Sequence, residues 1–225
     1  MKEIAGHRRL LSLSQSGDVS ALEEALSEHL ASSSSLLLSD IVHHKTGDGL
    51  LHVAARGGHV SCIKLLLGLG LGVDTRNLEF KTPLHEAAQC GQLAAVRQLL
   101  GAGAAVDSLK RADWTPVMLA ATRADNEATV RALVEAGADL RIRNKDGWSC
   151  LQVAARAGDL ATVRLLREAS PDTATSLTNN GRTLLHTACL AGHRLLWKLD
   201  FVALKLLLQK THFLQGSDVL PAAAA

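Results

Sequence analysis

The sequence has no tyrosine, and only three phenylalanines and three tryptophans among its 225 residues. Aromatics amount to 3% while hydrophobic residues reach 47%, so a core has to be made from Leu, Ala and Val. That composition suits thin helices packed closely together. An excess of one charge is lacking too. The 24 basic residues face 22 acidic ones, a formal net charge of +2, too small a field to draw in nucleic acid or an anionic membrane. Ten histidines add positive charge only below about pH 6.5. Long apolar runs are missing. The longest, residues 65–73, is broken by glycine and far too short to cross a bilayer. The four cysteines, Cys62, Cys90, Cys150 and Cys189, stand 28, 60 and 39 residues apart with no Cys-x-x-Cys. This is neither a disulfide framework nor a zinc-ligand spacing. Residues 1–9 are too polar for a secretory signal. The expected location is a reducing compartment, cytoplasmic or also nuclear.

What the sequence does have is a repeat. Thr82-Pro83-Leu84-His85-Glu86-Ala87-Ala88 is followed by Gly91, then Val96-Arg97-Gln98-Leu99-Leu100, then Gly103-Ala104. Counterparts begin at Gly49, Thr115, Ser149 and Thr183. The histidine slot is filled in turn by His52, His85, Met118, Gln152 and His186, in steps of 33, 33, 34 and 34 residues. The chemistry within each unit is legible. Thr caps a helix and Pro sits at its first position. Paired alanines allow close approach to the next unit. Gly58, Gly91, Gly158 and Gly192 suit a turn that needs left-handed backbone. The Leu pairs form the apolar face of a second helix.

This period and the Thr-Pro-Leu-His-x-Ala motif resemble the ankyrin repeat family over roughly residues 47–210. The resemblance implies an all-α repeat fold, a solenoid of about six helix-turn-helix units with projecting β-turns. It would form a single domain over 1–214. An N-terminal cap pair is expected at 7–30, and repeats at 47–78, 79–112, 113–146, 147–180 and 181–214. A serine-rich loop, residues 31–35, lengthens the first interval. Residues 194–200 read as a seven-residue insertion close to two helical turns. A disordered tail, 215–225, and an incompletely covered last repeat are expected beyond it.

Candidate chemistry is sparse. His43, His44, His52 and His59 suggest a metal cluster on paper. His52 already occupies the repeat slot, and no second ligand pair completes a site, so no metal and no cofactor is expected. No serine carries a nucleophile motif, and the cysteines fall at helix positions that pack inside. An enzyme is therefore not expected. The turn tips are more informative. Trp114 and Trp148 are equivalent positions, Phe80 lies one position earlier in its unit, and Arg76, Glu79, Lys110, Arg111, Arg143 and Lys145 surround them. Exposed Trp beside Arg and Lys has the composition of a protein-binding hot spot. The expectation is a protein partner, with no direct nucleic acid and no membrane.

Between residues 83 and 148 the strings Leu109-Lys110-Arg111-Ala112-Asp113-Trp114-Thr115-Pro116 and Asn144-Lys145-Asp146-Gly147-Trp148 resemble ankyrin proteins that co-regulate alanyl-tRNA synthetase. That resemblance implies binding to the synthetase and capture of misactivated serine on lysine side chains. Lys145 matches one acceptor position. Arg111 stands at a second, with Lys110 beside it as the alternative acceptor, and the third falls near Thr175. A guanidinium cannot accept an acyl group, so partner binding carries over better than serine capture. A generic ankyrin adaptor for another protein remains the alternative.

Overall fold

Thr82 sets the pattern of every unit. Its backbone is extended, and Pro83 opens a helix that runs to Cys90 before Gly91 turns left-handed at φ 73°. Gly58 and Gly158 end the equivalent helices at φ 76° and 79°. In the computed structural model, which describes residues 2–32 and 38–192, this unit recurs along the chain. The described helices are α1 (Lys2–Ser16), α2 (Val19–Ser32), α3 (Leu50–Gly57), α4 (Val60–Gly68), α5 (Pro83–Cys90), α6 (Leu93–Gly101), α7 (Pro116–Ala120), α8 (Glu127–Glu135), α9 (Cys150–Ala157), α10 (Leu160–Ala169) and α11 (Leu184–Leu190). Among the described residues there are no strands, and no helix is long and apolar enough to cross a membrane. The expected loop at 31–35 lies partly outside the described residues. The expected insertion at 194–200 and tail at 215–225 lie wholly outside them.

Each pair is antiparallel, and the first helices stack as an inner layer, α1 on α3, α3 on α5, α5 on α7, α7 on α9 and α9 on α11. The second helices form an outer layer. Between the layers runs one apolar core containing Leu22, Leu50, Ile63, Leu84, Leu99, Leu133, Leu151 and Leu166, all essentially inaccessible. The paired alanines Ala54–Ala55, Ala87–Ala88, Ala120–Ala121 and Ala154–Ala155 are fully buried, which lets inner helices approach closely.

A finger-like turn precedes each pair from α3 onwards: His43–Asp48, Asn77–Lys81, Lys110–Trp114, Asn144–Trp148 and Thr178–Arg182. In each, the first N–H donates to the last carbonyl at 2.9–3.0 Å. Neighbouring fingers are joined by one backbone bond each: Leu78 to Thr46, Arg111 to Glu79, Lys145 to Ala112 and Asn179 to Asp146. The penultimate finger residue is left-handed throughout, at Gly47, Phe80, Asp113, Gly147 and Gly181. Phe80 thus occupies a glycine position at φ 60°.

At the histidine slot, His52, His85 and Gln152 each tie their unit to the next. The Thr82 N–H donates to His85 Nδ1 at 3.1 Å, and Nε2 lies 3.1 Å from the Trp114 carbonyl. An acceptor on one side and an N–H on the other fix the neutral Nε2–H tautomer. His52 does the same between Gly49 and the Lys81 carbonyl. Gln152 copies it with an amide: its Oε1 accepts from Ser149, and its Nε2 donates to Ser176 and Arg182 carbonyls. Met118 has no polar atom able to do this. A second ladder follows the inner-helix turn. His59 reaches the Gln15 carbonyl, Gln92 the Arg56 carbonyl and Asn126 the Ala88 carbonyl, each in the preceding unit. Asp159 holds that place before α10 and caps its own helix instead.

The join between the α7–α8 and α9–α10 units therefore lacks both ladders. Its inner helices, α7 and α9, also touch least among the neighbouring inner pairs. The steps of 34 residues have separate origins. The turn after α7 holds one extra residue, with Asp125 left-handed at φ 62°. Helix α10 is one residue longer than α8 and runs into a short 3-10 turn at Pro171–Thr175.

Candidate binding groove

The fingers overhang the inner helices and leave a groove between them. Its wall is the last residue of each finger: Asp48, Lys81, Trp114, Trp148 and Arg182. Its floor is the solvent side of the inner helices, where Arg56, Gln89, Thr122 and Arg156 share one register position four residues past the histidine slot. Two widenings of the groove differ in chemistry.

The first, about 500 Å³, lies between α1, the first finger and α3, with Arg8, His43, Asp48, Val53 and Arg56 among its lining. Arg56 and Asp48 in it are already engaged. Arg56 donates to Asp48 at 2.6 Å and to Glu86 at 2.9 Å, Lys81 lies 3.3 Å from Glu86, and Asn77 donates to Asp48 at 2.6 Å. Burial pushes the Asp48 carboxyl up, but the bonds from Arg56 and Asn77 outweigh it and hold the carboxyl below its ordinary value. Asp48 and Glu86 are 2% and 3% exposed, so both carboxylates depend on these cations.

The second widening, about 460 Å³, straddles the weak join. Trp114, Trp148, Thr122, Val153, Arg156 and Asp146 line it together with Asn144 and Ala157. Lys110 Nζ sits 5.9 Å from the centre of the Trp114 ring, and the Arg156 guanidinium 5.5 Å from that of Trp148. Both are cation–π distances. Burial, reinforced by the nearby charge of Lys81, lowers the Lys110 pKa, against the opposing pull of Glu79 and Glu86.

The nine residues singled out by sequence do not come together in one place. Trp114 and Trp148 line the second widening, and Lys110 lies beside the Trp114 ring. Both tryptophans are half-buried against the core, a correction to the expectation of exposed rings: the ring of each covers apolar residues beneath it. Phe80 and Arg111 form a separate pair at the tips, with the guanidinium 5.8 Å from the ring centre. Phe80 remains 49% exposed. Lys145 is exposed on its fingertip and Arg76 just before its own finger. Glu79 is spent on Lys81, at 3.6 Å. Arg143 donates to the Leu177 carbonyl at 2.9 Å and so braces the next finger. Thr175 lies in the 3-10 turn after α10, away from the fingers.

Sequence reasoning passed over Arg156, Asp146 and the Asp48–Arg56–Glu86–Lys81 network. The signal was available as a column of the repeat register: Arg56 and Arg156 stand at the same place in their units. The cysteines also need correction. Cys62 and Cys150 are buried, and burial pushes the Cys150 thiol up to about 12. Cys90 is half-buried and Cys189 is exposed, because their places near the ends of α5 and α11 face away from the core. Of the four histidines weighed as ligands, His52 has both ring nitrogens in hydrogen bonds and His59 is spent on Gln15. Among the described residues no group of three or more His, Cys, Asp or Glu side chains is placed to hold a metal ion.

Stacked helix pairs with overhanging fingers and a solvent-open groove define a repeat solenoid of the kind that presents an extended surface to other proteins. The chain matches the family described as ankyrin repeats (3 copies) over residues 11–112, 95–175 and 117–212, and it belongs to that family. Ankyrin repeats are protein–protein interaction scaffolds. A comparison with curated proteins finds no match.

Proposed function

We propose that the chain holds a protein partner in the groove between Trp114 and Trp148, and that the partner is alanyl-tRNA synthetase. The observation that supports a groove partner is the pair of half-buried tryptophans facing one cleft, each with a cation beside its ring. Aromatic and arginine side chains around a sheltered centre are the usual carriers of interface energy. The synthetase reading rests on the resemblance of strings between residues 83 and 148, among them 109–116 and 144–148, to ankyrin repeat domain-containing protein 16. On this reading the protein acts in the cytoplasm, with the nucleus as a second location, and it limits serine misacylation by stoichiometric capture. Lys145 is the acceptor that matches, and Lys110 is the second candidate, since its lowered pKa leaves more free amine at neutral pH.

A second reading, an adaptor for another protein, is favoured by Arg111 and Thr175 at the presumed lysine positions. The test is a pull-down of alanyl-tRNA synthetase with the wild-type chain and with a Trp114→Ala, Trp148→Ala double variant. Capture by wild type and loss in the folded variant supports the synthetase reading. Mass spectrometry after incubation with synthetase, ATP and serine then reads seryl adducts on Lys145 and Lys110. No capture by the folded wild-type chain leaves the adaptor reading.

A further inference from the structure

We infer that Asn180, on the last described finger, is a site of spontaneous deamidation, and that its conversion to isoaspartate unties the α11 unit from α9. This goes beyond the groove-binding reading and does not depend on it. The asparagines of the chain are Asn77, Asn126, Asn144, Asn179 and Asn180. All but the last have their amides in use. Asn77 accepts from the Glu79 and Lys81 N–H groups and donates to Asp48. Asn126 donates to the Ala88 and Ala120 carbonyls, and Asn144 accepts from the Asp146 and Trp148 N–H groups. Asn179 donates to the Lys145 carbonyl. Asn180 is exposed, and its side chain has no partner among the described residues. It is also the asparagine that precedes a glycine.

The reaction is an attack by the backbone nitrogen of Gly181 on Asn180 Cγ. A bond forms between these two atoms, the bond from Cγ to the amide nitrogen breaks, and ammonia leaves with the proton of the attacking nitrogen. Water then opens the cyclic imide. Opening at Cγ gives aspartate, and opening at the backbone carbonyl gives isoaspartate. Glycine favours the attack because no Cβ crowds its nitrogen. Gly181 is left-handed at φ 70°, and a Cβ built on it would meet nothing within 4 Å. The nearest counterpart is Asp146-Gly147 in the preceding finger. There Gly147 is buried, and a Cβ on it would come within 2.7 Å of the Asn179 backbone nitrogen, so the last finger covers it. Attack at Asn180 requires the Gly181 N–H to leave the Thr178 carbonyl, 2.9 Å away. That release is a local opening of a finger held by its neighbour through one backbone bond, from Asn179 to the Asp146 carbonyl.

The product changes the join beneath it. Isoaspartate lengthens the backbone by one methylene between Asn179 and Gly181. The closure of the finger, Thr178 N–H to the Arg182 carbonyl at 3.0 Å, is set for the normal length. The same Arg182 carbonyl accepts from Gln152 Nε2, which ties α9 to the next unit. A displaced Arg182 carbonyl loses both bonds.

The test is peptide mapping by mass spectrometry of the full-length chain, held folded at mildly alkaline pH. Electron-transfer fragmentation tells isoaspartate from aspartate. The expected result is conversion at Asn180 before any other asparagine, faster as pH rises, because the attacking nitrogen must be deprotonated. Asn180→Gln should abolish it, since the longer side chain must close a larger ring. Hydrogen exchange over residues 178–190 should quicken in the converted chain and stay slow in equally aged Asn180→Gln. An Asn180 amide still intact in the folded chain when a free peptide of residues 174–186 has converted would overturn the site. Earlier conversion at another asparagine would overturn the argument from bonded amides. Conversion at Asn180 with unchanged exchange over residues 178–190 would overturn the untying.

Discussion

Single residues set the pH behaviour. His85 is fully buried, burial pushes its pKa down to about 4, and its hydrogen bonds require the neutral ring. Burial lowers His52 in the same direction. A histidine in an unfolded chain titrates near pH 6.5, so between there and pH 4 the unfolded state binds more protons than the folded one. Stability is therefore full above about pH 6.5 and is lost as pH falls towards 4. The loss from His85 is on the order of 3 kcal/mol. Gln152 shows that an amide serves the same slot, so the double variant His52→Gln, His85→Gln should flatten urea midpoints measured across this range. An unchanged slope would mean that other groups carry the pH dependence. Phe80 offers a second residue-level check. A bulky residue at φ 60° carries left-handed strain of about 1–2 kcal/mol, partly offset on mutation by the greater freedom of glycine in the unfolded chain. Phe80→Gly should raise the urea midpoint, by up to about 1 kcal/mol in stability. A lower midpoint would show that the Arg111–Phe80 contact outweighs the strain.

At the scale of the elements, fingers and inner helices are coupled through glycines and through the histidine slot. Gly147 has φ 77°, and a Cβ there would come within 2.7 Å of the Asn179 backbone nitrogen. Gly147→Ala should cost about 1–3 kcal/mol in thermal or urea unfolding and loosen the contact between the last two fingers. A neutral effect would contradict this close approach. Met118 marks the opposite situation, a slot with no bond to give. Met118→His should add one inter-unit hydrogen bond to the Trp148 carbonyl and stabilise by about 1 kcal/mol. The helix pairs were legible in the sequence because Thr-Pro, the αL glycines and the Leu pairs act locally. The difference between joins was not legible. It depends on which carbonyl a side chain 29 to 38 residues away can reach, as His85 and Asn126 do. The groove was half legible for the same reason: Trp114 and Trp148 stand out by type, whereas Arg156 acquires meaning only when the inner helix brings it beneath the finger.

For the whole molecule, these differences divide one apolar core into unequal spans. The units from α3 to α8 are linked by the histidine slot, by the inner-turn ladder and by Asp74 and Asp107, whose carboxylates accept from the Ala105 and Asp139 backbone. The units from α9 onwards attach through the join that has least of this. In a repeat protein, stability is a sum of units and nearest-neighbour terms, so opening starts at the weakest interface. Hydrogen exchange should show residues 150–190 exchanging together and sooner than residues 50–101, and an occupant of the Trp114–Trp148 groove should slow that exchange. Whether a protein partner sits in this groove is read most directly by site-specific photo-crosslinking. A benzoylphenylalanine at Thr122 on the groove floor is compared with one at the exposed Arg131 on outer helix α8. A partner in the groove gives a discrete protein adduct from position 122, absent from 131 and abolished by Trp148→Ala. Adducts from position 131 with none from 122, in folded protein, would contradict it.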